Sequence, residues 1–318
     1  MNSKIKNRLT PILFAVITAA VITAAVVSVC VGKYTITTAD IQAILKGEQV
    51  QAMTRKVFTT LRLPRTVMAL IAGIGLGIAG SVYQIIFKNP LASPDIIGIA
   101  GGANLGAAVA IVSVSTSGMI AIAAGAFWGG LIAVVCVMLL VKATRSRSTS
   151  TYVLAGIVIN AISKAAIMAL KYFADPENEL LSIRPMFLIG LAGILLLRRQ
   201  IELMSLSDNE CRALGVRLRP VRAAVLALST LMVGSIISVT GLISFAGLIA
   251  PHTARLMLRR NDSTTIIMSG LVGAFVVLTA DILARVLYSA ELPISILTTV
   301  IGVPILIYFL CARGKDVS

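Results

Sequence analysis

The sequence predicts an all-α polytopic membrane protein with about ten transmembrane helices, on three observations. First, of 318 residues 58% are hydrophobic and only 13% charged, whereas a soluble domain carries about 25% charged residues. One soluble core cannot hide that much apolar surface, so lipid must be the solvent for much of the chain. Second, the apolar residues come in uncharged runs of the length a bilayer demands, about 20 residues each. Third, the cations gather in the short stretches between those runs. Soluble enzyme, secreted disulfide scaffold and disordered chain are excluded. The net charge of +15 could indicate nucleic acid, but basic cytoplasmic loops produce the same excess. Cys30, Cys136, Cys211 and Cys311 stand far apart, without metal spacing, and read as small hydrophobes.

Taken in order, residues 9–31 form an uncharged run preceded by Lys4, Lys6 and Arg8. The run exceeds a signal-peptide core and Val29-Cys30 lacks a cleavage site, so it reads as a retained first helix. Residues 66–87 give the second. Residues 96–141 are too long for one span and divide at Ser115-Thr116-Ser117-Gly118 into two helices. Residues 152–170 form a fifth, interrupted by Lys164. The stretch 223–258 holds two shorter spans, breaking near Thr240-Gly241, and 263–280 and 292–312 supply the last two.

The segment 185–197 between Arg184 and Arg198 is too short alone. Begun at Leu180 it covers about 27 Å, with Arg184 snorkelling near one end. Loop charge favours this longer version: with ten spans and a cytoplasmic N-terminus (residues 1–8), cations inside outnumber those outside by two to one. Without the 180–197 span the basic group 198–222 would fall outside, against the positive-inside bias. Both termini are therefore expected in the cytoplasm of a single transmembrane domain spanning 1–318, embedded in the cell membrane.

Several motifs carry more than hydropathy. Gly75-x-Gly77-x-x-Gly80 matches a dinucleotide fingerprint as a string, but no strand precedes it. Gly73, Gly77 and Ser81 recur every four residues, with Gly80 nearby, as helix-packing positions do in bilayers. No phosphate-cradling loop of the GxxxxGK[ST] type occurs, so the chain does not hold a nucleotide itself. Ser207-Asp208-Asn209-Glu210 fits a capping box, and Gly215 supplies a left-handed stop. A short polar helix over 208–214 follows, either a solvated loop helix or a docking knob for a cytoplasmic partner. Lys164 lies about 20 Å into its span; it either faces a pathway or snorkels outward toward Lys171. Asp281 and Arg285 form an i,i+4 pair at an outer helix end. His252, the only histidine, has no second ligand beside it and is expected in a capping role. No metal site and no cofactor is expected.

Together these residues resemble the permease subunits of ATP-binding-cassette importers for ferric siderophores, haem and cobalamin. The matching stretches are Arg62-Leu-Pro-Arg65-Thr66 at the opening of the second helix, Gly80-Ser-Val-Tyr-Gln84, Asn89-Pro-Leu-Ala-Ser-Pro-Asp95 with Gly98-Ile-Ala-Gly-Gly-Ala103, and Leu206 through Val216. Gly241-Leu-Ile-Ser-Phe-Ala-Gly-Leu-Ile-Ala-Pro-His252 with Arg255 is the most distinctive. Asp281-Ile-Leu-Ala-Arg285, Glu291-Leu-Pro293 and Gly302-Val-Pro304 complete the set. The family usually has a Trp-Gly-Ser-containing stretch between the fifth and sixth helices; here Asp175–Pro185 runs almost straight into Met186.

The resemblance implies a cobalamin-importer-permease-like fold of ten helices and two permease subunits, identical or paired, around a central pathway. It also implies cytoplasmic ATP-binding subunits and an extracytoplasmic substrate-binding protein. Arg62, Arg65 and Arg285 fall where such permeases meet acidic residues of the binding protein. Ser207, Asp208, Glu210, Ala213, Leu214 and Gly215 fall where the ATPase docks. Lys164, Asn160 and Gln84 are the translocation-pathway candidates. The expected function is ATP-driven import of an iron chelate, with no bond chemistry in this chain. A cobalamin or haem permease of the same family, an ion-coupled carrier using Lys164 and Asp281 as charge relays, and a non-transporting scaffold stand as alternatives; nucleic acid is not an expected partner.

Overall fold

The computed structural model describes residues 3–90, 92–95, 98–113, 119–143, 149–171, 184–287, 294–302 and 304. Every regular element among the described residues is helical. In order these are α1 (Ser3–Cys30), α2 (Thr38–Lys46), α3 (Ala52–Lys56), a π-helical turn (Val57–Arg62), α4 (Leu63–Ile86), α5 (Ile99–Ser113), α6 (Met119–Ala143) and α7 (Thr149–Lys171). There follow α8 (Arg184–Leu196), α9 (Arg198–Leu203), α10 (Asp208–Ala213), α11 (Leu218–Thr240), α12 (Ala246–Leu258) and α13 (Ser263–Val286). Residues 294–302 form a further helical stretch.

Among the described residues, five helices are long and apolar enough to cross a membrane: Leu9–Cys30, Ala52–Ile86, Ile120–Ala143, Leu218–Thr240 and Ser263–Val286. Three shorter apolar helices lie at Ile99–Val112, Leu154–Ile167 and Met186–Leu196. Ile22, Ile120, Ile132, Leu139, Leu154, Leu188 and Leu196 are exposed around the bundle, an apolar girdle that water would not tolerate. The chain is a multi-pass membrane protein.

The second apolar run begins earlier than its hydropathy suggests. Its helix starts at Ala52, and α3, the π turn and α4 are continuous. The π turn lies just before Pro64, which has no N–H to donate and whose ring would crowd the carbonyl four residues back. A wider turn of this kind absorbs that defect without breaking the rod. α11 likewise starts at Leu218, ahead of the expected 223, with Pro220 in the first turn where its missing donor costs little. The expected break at 240–241 is present: α11 ends at Thr240 and Gly241 takes a left-handed φ of 67°. His252 sits in the middle of α12, so it does not cap that helix. The expected divide at 115–118, the extension of α8 back to Leu180 and residues 292–293, 303 and 305–312 of the last span lie outside the described residues.

Packing follows the small residues. α4 lies against α13 and α12, α5 against α6 and α7, and α11 bridges the two groups. Along α4, a Cβ on Gly73 would overlap the backbone of Gly273, one on Gly77 the carbonyl of Ser269, and one on Gly80 the carbonyl of Gly247. Backbones this close need residues without side chains, as in bilayers generally. Gly102 and Gly106 of α5 meet Gly129 and Gly125 of α6 in the same way.

Candidate functional site

Charged side chains gather at the two ends of α4. Arg65 and Lys88 are 23 positions apart, so a helix between them separates the clusters by about 34 Å.

At the Arg65 end the organising group is Asp281 of α13, which is fully buried. Its Oδ1 accepts from Arg65 Nε at 2.8 Å and its Oδ2 from Arg285 Nη2 at 2.7 Å. Arg285 also donates to the Ser28 carbonyl at 2.9 Å and to Ser28 Oγ at 2.7 Å, and Ser28 Oγ lies 2.8 Å from Thr66 Oγ1. Arg62 donates to the carbonyls of Val31 and Tyr34. Its guanidinium lies where a Cβ on Gly32 would be, and Gly32 takes a φ of 154° that favours glycine. Arg62 and Arg285 are 8% and 7% exposed, while the Arg65 side chain keeps 31%. Of three arginines expected on an outer face, the structure thus packs two inside. All three, with Lys33 and Asp281, border a cavity of about 620 Å³.

At the Lys88 end, α9 and α10 form a small hook between α8 and α11. The α10 capping box is complete. The Glu210 amide donates to Ser207 Oγ at 3.3 Å, and Glu210 Oε2 accepts from the Ser207 amide at 2.8 Å and from its hydroxyl at 2.7 Å. These bonds hold the Glu210 carboxyl below its ordinary pKa. Gly215 takes φ 79°, and the Val216 amide turns back to the Cys211 carbonyl at 3.0 Å, closing the helix. Cys211 is buried and its thiol donates to the Leu203 carbonyl, pinning α10 to α9. Asp208 Oδ1 accepts from Lys88 Nζ at 2.8 Å and Arg222 Nη2 at 2.9 Å, tying α10 to the end of α4 and the start of α11. Lys88 above all, and then Arg222, keep the Asp208 carboxyl below the usual carboxylate range. Ala213 and Leu214 stay exposed at the tip.

Between the ends, Asn160 and Lys164 of α7 border a cavity of about 330 Å³ together with Ser93, Asp95, Ser244 and Phe245. Asn160 Nδ2 donates to the Asp95 carbonyl, and the Phe245 amide donates to Asp95 Oδ2 at 2.9 Å. Sequence reasoning does not single out Asp95 as a site residue; its only sign there is a carboxylate six residues after Asn89-Pro90 in an otherwise uncharged stretch. Gln84 does not border this cavity. It is buried in α4, where its Nε2 makes a long 3.5 Å contact with the Leu248 carbonyl.

The family described as the FecCD transport family matches residues 17–183 and 176–312 of this chain. The chain belongs to that family. The permease is 33% identical over 331 residues to the molybdate import system permease protein MolB of Haemophilus influenzae, covering 96% of each chain. It is 32% identical over 267 residues to the Fe(3+)-citrate import system permease protein YfmE of Bacillus subtilis, covering 78% of this chain and 80% of that one. A solved structure of a metal-chelate type ABC transporter in an inward-facing conformation superposes with a TM-score of 0.76 at 29% identity, over 95% of this chain and 99% of the other. The protein is an ABC-importer permease.

Proposed function

We propose that this permease is the membrane subunit of an ATP-driven importer for a ferric chelate such as a siderophore. It works as a pair of permease subunits with cytoplasmic ATP-binding subunits and an extracytoplasmic binding protein. The observation that carries the reading is the link formed by α4. One end meets the capped α10, with exposed Ala213 and Leu214; the other meets Asp281 through Arg65. In this reading residues 198–222 are the coupling segment, both chain termini are cytoplasmic, and Ser207, Glu210 and Gly215 shape the surface the ATPase grips. Arg65 reaches an acidic group of the binding protein, while Arg62 and Arg285 hold the platform beneath it.

The Fe(3+)-citrate relative and the metal-chelate transporter structure support an iron chelate as cargo. A second reading, molybdate, is favoured by the end-to-end match with MolB. Reconstitution in proteoliposomes with the ATP-binding subunits and binding protein tests both. Uptake of radioactive ferric citrate that requires ATP is expected; ATP-dependent uptake of molybdate alone selects the second reading. Uptake that ignores ATP and follows a proton gradient would instead favour an ion-coupled carrier.

A further inference from the structure

Two helices of this bundle begin in its interior. α5 and α12 are 15 and 13 residues long, and each follows a non-helical stretch, 92–95 and 241–245. The level of those stretches is fixed by α7. Asn160, eleven positions into that helix, bonds the Asp95 carbonyl, so Asp95 lies about 16 Å from the helix start. Irregular backbone at such depth persists where protein buries it or where it borders a wet cavity. Discontinuous helices of this kind are also where transporters hold their cargo.

The cavity at this level has an unusual charge arrangement. Lys164 borders it from about 22 Å along α7. Among the described residues its ammonium forms no hydrogen bond or ion pair, and the residue is exposed on the protomer surface. Asp95 is within electrostatic reach of Lys164 but is held away, its Oδ2 on the Phe245 amide and its carbonyl on Asn160. The Lys164 ammonium and the anchored Asp95 carboxylate therefore border the same open, mainly apolar cavity. An intramembrane ammonium without a bonded partner marks a route for charge. A lone ammonium there would bind an anion and keep it; a nearby fixed carboxylate weakens that grip, and transit requires both entry and exit.

Resting on the reading as an importer permease, we propose that this cavity is a transit subsite for anionic cargo. Lys164 meets a carboxylate or oxyanion oxygen of the cargo, with Asn160 and Ser244 beside it. Asp95, anchored to the start of α12, limits how tightly that anion is held.

The test needs no knowledge of the cargo. In a variant whose four native cysteines are replaced, Ser244→Cys is introduced and the protein reconstituted in lipid nanodiscs. Rates of modification by a sulfonate-bearing and a quaternary-ammonium-bearing methanethiosulfonate are compared. The anionic reagent is expected to react faster. Lys164→Gln should lower the anion-to-cation rate ratio about tenfold, and Asp95→Asn should raise it, by the local potential each charge sets. Lys164→Arg should preserve it. A ratio unchanged within about twofold by Lys164→Gln, or an introduced thiol inert to both reagents, overturns the subsite. ATP-dependent uptake of ferric citrate and molybdate is measured in parallel on the wild-type chain. Failure of both uptakes with the reagent ratio intact would count against the importer reading and leave the subsite standing.

Discussion

Arg65 and Asp281 lie 216 positions apart in sequence and are joined by a 2.8 Å ion pair, with Asp281 wholly inside the protein. The contact fastens the start of α4 to the end of α13 and holds Arg65 in place at the rim of the larger cavity.

Removing that carboxylate should be costly. Asp281→Asn leaves the Arg285 guanidinium buried beside a neutral amide, and breaking a buried pair by removing one partner costs about 3–5 kcal/mol. A lowered melting temperature in detergent is expected. Replacing Asp281 and Arg285 together by Asn and Met should recover much of the loss, since no buried charge is then stranded.

The three arginines should separate by phenotype. Arg65→Glu should weaken capture of the binding protein in a pull-down while the permease still purifies as a folded species. Arg62→Glu and Arg285→Glu, at positions packed on Val31, Tyr34 and Ser28 carbonyls, should reduce folded yield first. Equal folding with equal loss of capture in all three would show that each contacts the binding protein directly.

Asp208→Asn should loosen α10 from α4 and α11 without unwinding it, because the capping box uses Ser207 and Glu210. Normal assembly with the ATPase and uptake reduced several-fold are expected in proteoliposomes. The pH dependence follows from the sign of the shift. Asp208 titrates below its unfolded value of about 3.9, so its contribution is complete above that pH and lost as pH falls through the lower folded value. A spin label at Asn209→Cys should keep constant mobility from about pH 8 to 5 and gain mobility below about pH 4. High salt should mimic part of that release, since the pair is partly exposed.

Gly80→Val and Gly215→Ala should fail for different reasons. At Gly80 the new side chain meets the Gly247 backbone, which cannot yield without parting α4 from α12; a loss of about 1–3 kcal/mol in thermal unfolding is expected. At Gly215 there is open space and only the left-handed backbone objects, a cost of about 1 kcal/mol confined to α10. Uptake, more than melting temperature, should report it.

How much of this is legible depends on distance along the chain. Ser207, Glu210 and Gly215 specify their helix within nine residues, and the structure has that helix at Asp208–Ala213. The pause at Gly241 is equally local. The signals for α2, a capping box at Thr37 and Asp40 with Gly47 after it, are of the same kind, but a search for spans skips a segment this polar. Burial of Arg62 and Arg285 is not legible. Charge counting places them at a helix end, and the i,i+4 spacing gives Arg285 its Asp281 partner. Ser28 for Arg285, and the Val31 and Tyr34 carbonyls for Arg62, come within reach only when α1, α4 and α13 pack. Asp95 is hidden for the same reason, its partner Phe245 lying 150 positions away.

The seam of touching backbones at Gly73, Gly77 and Gly80 leaves no lubricating side chains between α4, α12 and α13. Sliding one past another would drive carbonyls into alpha carbons, so these three helices must travel as a solid block. Any alternation of the gate is thereby pushed to the block's edge, where the Phe245 amide at the start of α12 holds Asp95 and Asn160 of α7 donates to the Asp95 carbonyl.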